Sequence, residues 1–306
     1  MKLGARWNRF WFAPAPAEDL AVTRFVFAAG VFLYYLPAGL HRYGDVPRGF
    51  FQPSGLFQYL GLPILDGASL APIEAIWLLS WLALALGFRA RSAAVVACVG
   101  SLYLLGLKNS FPRMSFHSDI PTVFLSAILA GARSADVLSV DAWIARRCGR
   151  PIPLEPEEYG WPRQLARVFL AWMFFAAGVA KIRHSGFPEW ILSDVTWISL
   201  VGSNYASMGH GRAPFPMLGA ALVRSSEAFA TGLAAMTQFT ELLYPLALVS
   251  HAARWILIPA MLALLGGIWL TMGPFFFVTV LAHAFWVPWS AIAARVTARR
   301  APVAIA

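Results

Sequence analysis

The sequence has little charge. Only 13% of its 306 residues are Asp, Glu, Lys or Arg, while 59% are hydrophobic and the mean hydropathy is +0.63. A soluble domain carries roughly a quarter charged residues. The shortfall runs along the whole chain, which excludes an ordinary water-soluble globule and points to a polytopic membrane protein. Acid is scarcer than base: 15 Asp and Glu stand against 24 Lys and Arg, a formal charge of +9. That balance does not make a nucleic-acid partner, because the basic residues are not clustered with exposed aromatics on one soluble domain. They fall mostly between apolar segments, as topology signals do, and the partner they imply is the anionic headgroup layer of a lipid bilayer.

Cysteine is nearly absent. Cys98 lies in an apolar segment and Cys148 in a basic loop, so position argues against a disulfide, and neither belongs to a CxxC or Cys/His pattern. No H-x-x-x-H pair accompanies the isolated histidines, so no metal site is expected. The first nineteen residues are too polar and too aromatic for a cleavable signal peptide. There is no internal repeat, no low-complexity tract and no pair of Gly/Pro-broken half-helices of the kind transporters use.

Long apolar runs are what the sequence has instead. Eight segments are apolar enough to span or nearly span, at about 20–40, 72–88, 92–107, 119–132, 165–182, 232–249, 254–272 and 274–289. The expected fold is all-α, a single polytopic transmembrane helical bundle of about eight spans. Residues 1–19, where Lys2, Arg6 and Arg9 alternate with Trp7, Phe10, Trp11 and Phe12, read as an amphipathic segment on a membrane surface. Pro121, Pro245, Pro259 and Pro288 fall inside spans, where neighbouring helices satisfy the freed carbonyls. Residues around 191–205 and 213–223 read as re-entrant or interfacial pieces. With the N-terminus cytoplasmic and eight spans, sixteen Lys and Arg lie inside and eight outside, of 24. That excess favours both termini in the cytoplasm, 133–164 as a cytoplasmic loop and 183–231 as extracytoplasmic.

Ionisable residues within spans are expensive and usually pair or line a polar cavity. Under this topology Glu74, His117, Asp119, Lys181 and Glu241 all fall on the outer half of the membrane. Lys181 closes the apolar run from Leu165 and is either an anchor that snorkels to the interface or a base in a site, since burial drives a lysine toward its neutral form. His117 in Ser-Phe-His-Ser-Asp is a capping-loop residue or a partner in that site. Glu241, near mid-span, needs a partner of some kind. Arg24, one turn into the first span, is expected to reach back to inner headgroups, and His283 to make a hydrogen bond between helices.

Several stretches, in order, resemble the HTTM family, the membrane domain shared by vitamin K-dependent gamma-carboxylases and many bacterial relatives. They are Leu20-Ala-Val-Thr-Arg24-Phe, Leu86-Gly-Phe-Arg-Ala-Arg-Ser92, the run from Asn109-Ser through His117-Ser-Asp to Leu138-Ser-Val-Asp141-Ala, and Phe175-Ala-Ala-Gly178-Val-Ala-Lys181-Ile with Trp190-Ile-Leu after it. Thr240-Glu241-Leu-Leu-Tyr-Pro245 adds weaker support. In the carboxylases the lysine of the G-x-x-K stretch deprotonates reduced vitamin K, and the resemblance assigns that position to Lys181 and a histidine of the same site to His117. It also implies a bacterial inner-membrane location. The sequence departs from the carboxylases in having a single lysine, preceded by Ala180, and no histidine in Leu264-Leu-Gly266-Gly267-Ile. The carboxylases carry a large region after the membrane domain, whereas this sequence ends at Ala306 soon after the last expected span. Protein gamma-carboxylation is therefore not expected.

The reading that results is a multi-pass HTTM-type protein binding a lipid or quinone-like molecule in an outward-facing polar pocket shaped by Glu241, Asp119, Glu74 and Trp190. The alternative is a quinol-dependent, carboxylase- or epoxidase-like enzyme with Lys181 and His117 as catalytic residues and a reduced quinone as cofactor. Partners are the bilayer, a membrane quinone or another membrane protein.

Overall fold

The computed structural model describes residues 3–111, 119–210, 214–215 and 217–300. Among these, every regular element is helical. In chain order the α-helices are α1 (Leu3–Trp11), α2 (Ala17–Tyr35), α3 (Leu56–Leu60), α4 (Gly67–Leu86), α5 (Ala90–Asn109), α6 (Ile120–Gly131), α7 (Val140–Arg147) and α8 (Glu157–Ser185). There follow α9 (Glu189–Leu192), α10 (Val195–His210), α11 (Leu218–Ser225), α12 (Glu227–Leu243), α13 (Leu246–Val249), α14 (His251–Met272), α15 (Phe277–Ala282) and α16 (Trp289–Arg300). The helices group into two compact units, one of residues 1–166 with 281–306 and one of residues 167–280.

Among the described residues four helices are long and apolar enough to cross a membrane: α4, α5, α8 and α14. A fifth crossing is present if Phe277–Trp286 and Trp289–Thr297, bent by 69°, count as one. The remaining expected segments are helical but shorter, broken or more charged. The first is α2, which carries Glu18, Asp19 and Arg24 in 19 residues, and the segment at 119–132 is the 12-residue α6. The segment at 232–249 is interrupted at Pro245 between α12 and α13.

Three of the four prolines expected inside spans stand at helix starts or breaks. Pro121 opens α6, where its missing donor is not needed, and Pro245 and Pro288 sit at helix breaks. Pro259 lies in a helix beyond its first turn, as do Pro72 and Pro162. The stretch 133–164 is not simply a loop, since it holds α7 and the start of α8.

In the first unit α2, α4, α5 and α6 pack around fully buried Phe27, Trp77, Trp81 and Leu104. Trp77 donates from Nε1 to Ser101 Oγ at 2.9 Å, and its ring occupies the space that a side chain at Gly100 would take. This partner for the N–H offsets the cost of burying the polar end of the indole.

Arg24 does not reach headgroups. It is 0% exposed and turns inward, donating from Nη1 to Ser134 O at 2.6 Å and from Nη2 to Leu138 O at 2.9 Å. A longer contact runs to Ala85 O at the end of α4. The carbonyls it finds belong to the last turn of α4 and to the loop between α6 and α7, groups that a helix end or a loop leaves open to a side-chain donor. A second buried node joins Arg163 Nη1 to Asp19 Oδ2 at 2.6 Å, with Asp19 Oδ1 accepting from Ser290 N–H at 2.7 Å.

In the second unit α10, α11 and α12 meet through Leu200, Val223 and Ala230, with Val201, Leu233 and Met272 against them. Gly219 lets Leu200 and the backbone at Thr271 come close.

Candidate functional site

Lys181 lies near the C-terminal end of α8, the end at which a helix favours a cation. Glu241 lies in the last turn of α12, so its carboxylate faces an unfavourable helix end and depends on a cation nearby. Lys181 supplies it: Nζ donates to Glu241 Oε1 at 2.8 Å and Oε2 at 2.6 Å. The lysine side chain is 22% exposed and the glutamate 10%. Lys181 is therefore held against Glu241, and the carboxylate expected to need a partner has this one.

The approach of the two helices depends on Gly178, one turn before Lys181. A Cβ there would stand 3.1 Å from Leu242 and 3.2 Å from Glu241 Cβ. The close contact also exposes the Gly178 carbonyl to Gln238, whose Nε2 donates to it at 2.9 Å. Gln238 is 1% exposed, and its Oε1 has no hydrogen-bond partner among the described residues. Sequence reasoning passes over Gln238; the signal was its place three residues before Glu241, on the same helical face.

Trp190 reaches the pair by way of a turn. Gly186 ends α8 with φ +90°, where an L side chain is strained, and its N–H returns to Ile182 O. The reversed chain forms α9, and the half-buried Trp190 ring lies 5.2 Å below Lys181 Nζ. That is cation–π range. Two of the three lysine N–H bonds are directed at Glu241 and the third is left for the aromatic face or a ligand.

Glu74 and Asp119 belong to the first unit, each engaged in a group of its own. Glu74 accepts from the backbone N–H of Leu40 at 2.7 Å and of His41 at 2.9 Å, and meets His41 Nδ1 at 2.6 Å. It fastens the chain that follows α2. Asp119 takes Lys108 Nζ at 2.7 Å, Tyr35 Oη at 2.5 Å and Asn109 Nδ2 at 3.2 Å. Lys108 is thus a second membrane lysine held by a carboxylate, and its position at the end of an apolar run, like that of Lys181, is the signal for it. His117 lies outside the described residues. Among the described residues no group of three His, Cys, Asp or Glu is arranged to hold a metal, and Cys98 and Cys148 are free thiols.

Apolar helices of spanning length, with ion pairs where charge enters them, define an integral membrane protein. The chain belongs to the HTTM family: the family described as the HTTM domain matches residues 12–289, which takes in Lys181, Trp190 and Glu241. No curated protein and no solved structure matches it.

Proposed function

We propose that Lys181, Glu241 and Trp190 line a polar pocket in which this HTTM protein holds a lipid or quinone-like molecule. The observation that carries the reading is the doubly hydrogen-bonded Lys181–Glu241 pair set over the Trp190 ring. Neutralising the ammonium makes it tolerable at membrane depth, while its third N–H remains a donor. A flat indole supplies a stacking surface. The buried Gln238 Oε1, unpartnered among the described residues, adds an acceptor for a hydroxyl. Together these groups fit the ring and oxygen of a quinone. In this reading the pocket opens on the outer half of a bacterial inner membrane, and the chain forms one domain with eight crossings and both termini in the cytoplasm.

Binding of a menaquinone analogue to the purified protein, followed by tryptophan quenching, tests the reading. Affinity is expected to fall at least about tenfold in Lys181→Ala, the loss of one charge-assisted hydrogen bond. Equal binding by wild type and Lys181→Ala would remove Lys181 from the pocket.

The direct contact of lysine and carboxylate favours a second reading, a quinol-dependent oxygenase. A bound quinol supplies an acidic hydroxyl. Lys181 Nζ, after yielding its proton to Glu241, is an amine able to take a proton from that hydroxyl. Reconstitution with reduced menaquinone and dioxygen separates the readings: epoxide formed by wild type and lost in Lys181→Ala supports the enzyme, and undiminished turnover in the variant rules Lys181 out as base.

A further inference from the structure

Three short helices of the first unit carry exposed apolar side chains next to arginines, and hydrogen bonds and short chain links bring them to one level. The start of α16 is fixed by Asp19, at the start of α2, through Ser290 N–H, and Arg163 near the start of α8 joins Asp19 to the Val287 carbonyl at 2.8 Å. Five residues separate the end of α1 from the start of α2. Helix α7 is tied to the turn between α4 and α5: the Asp141 carboxylate accepts from the N–H of Arg89 at 2.9 Å and of Ala90 at 3.1 Å, and Asp141 N–H donates to Gly87 O at 3.0 Å. Arg24 closes the set by linking α2 to the end of α4 and to the loop that leads into α7.

The lengths of α4 and α5 say where that level is. Each has 20 residues, about 30 Å of helix, the thickness of a bilayer's hydrocarbon core. Helix α7 therefore begins where two spans leave the hydrocarbon. There it exposes Trp143 at 52% and Ile144 at 40%, with the Arg147 guanidinium 5.1 Å over the Trp143 ring. Exposed Trp7 and Phe12 accompany Arg6 and Arg9 at α1, and exposed Ile292 and Val296 accompany Arg295 in α16. Among the described residues at this end eight arginines are exposed, against Glu18, Glu155 and Glu157. Apolar residues at the depth of the acyl boundary, with cations one turn away and little acid between, complement a layer of lipid phosphates.

We propose that α7, together with α1 and α16, lies in the headgroup layer of an anionic leaflet, Trp143 and Ile144 entering the acyl boundary and Arg146 and Arg147 binding phospholipid phosphates. This holds whether or not a molecule binds at Lys181.

Cys148, exposed at the C-terminal cap of α7, provides the probe. A spin label is placed on it in a Cys98→Ala background, with the full chain reconstituted into vesicles containing phosphatidylglycerol or phosphatidylcholine alone. Its depth is read from collisions with oxygen and with a nickel chelate. The label is expected at headgroup depth in phosphatidylglycerol and nearer water in phosphatidylcholine, with inorganic phosphate failing to substitute. Arg146→Gln with Arg147→Gln should lower the docked-to-undocked ratio about 25-fold, about fivefold for each arginine. Arg48→Gln, at the other end of α4, should leave it unchanged. Equal depth in both lipids, or no response to the double variant, overturns the proposal. So does dipolar broadening between labels, which would show α7 covered by a second copy of the chain.

Discussion

Lys181 and Glu241, sixty residues apart, share two hydrogen bonds of 2.8 and 2.6 Å near the C-terminal ends of their helices. Removing either side chain leaves the other charged group partly buried and alone. Lys181→Ala and Glu241→Ala are each expected to destabilise the second unit by about 1.5–3 kcal/mol, the range for hydrogen bonds to charged groups. The double variant should cost less than the sum, with the difference measuring the pair. Additive losses in detergent unfolding would mean that the two residues do not support each other.

Gly186 turns the chain so that Trp190 returns beneath Lys181. With φ +90°, and with Glu189 Oε2 2.6 Å from where a Cβ would stand, it tolerates no side chain without strain. Gly186→Ala should lose at least about 1 kcal/mol and shift the fluorescence of Trp190, identified by difference against Trp190→Phe. Gly232, within α12, has nothing within 4 Å of a built Cβ, so Gly232→Ala should gain about 0.5–1 kcal/mol. Equal effects at the two glycines would contradict the assigned turn.

Long apolar runs make the helices and the membrane setting legible in the sequence, because burying that much carbon in lipid leaves few other solutions. The charges at run ends are legible as well, and Lys181 and Glu241 stand out for that reason. Their pairing is not, because it depends on α12 closing on α8 at Gly178, a tertiary contact. Glu74 and Asp119 stand out as charges at run ends too, but their partners, His41 and Lys108, are tertiary neighbours that the runs alone do not name. Arg24 is misread for a related reason. Reaching headgroups looks easiest for an arginine one turn into a helix until three carbonyls from elsewhere in the chain are brought to it. The break at Pro245 is concealed because an apolar run reads alike whether its helix is whole or interrupted.

Asp66 caps α4 from outside the helix, its Oδ1 accepting from Ser69 N–H at 2.7 Å. That hydrogen bond holds its carboxyl below the usual aspartate range. A carboxylate with a depressed folded-state pKa stabilises fully above its unfolded value, near 3.9 for a free aspartate, and the contribution disappears as pH falls through the lower folded value. Amide exchange in the first turn of α4 should therefore quicken below about pH 4, beyond the ordinary trend. Asp66→Ala should show that faster exchange already at neutral pH and no added acid step. An unchanged acid step in Asp66→Ala would assign it to another group.

Arg24 offers the sharpest contrast between an interfacial anchor and an internal clasp. A guanidinium spans the Ser134 and Leu138 carbonyls because its donors fork, and the compact ammonium of lysine does not. An arginine that reached for headgroups would be replaced by lysine without loss. For the clasp, Arg24→Lys should behave nearly as badly as Arg24→Met, each leaving the buried Ser134 carbonyl short of a donor at about 1–3 kcal/mol and the part-buried Leu138 carbonyl short at a smaller cost. The effect should be local as well as global: amide exchange through 134–141 should rise, since that segment is held to α2 by these bonds. Gly87→Ala should produce the same pattern with Arg24 intact, because a Cβ at Gly87 would press on both the guanidinium and Ser139. Full stability in Arg24→Lys, or fast exchange confined to other segments, would return Arg24 to the interface and leave the loop before α7 to be held by other contacts.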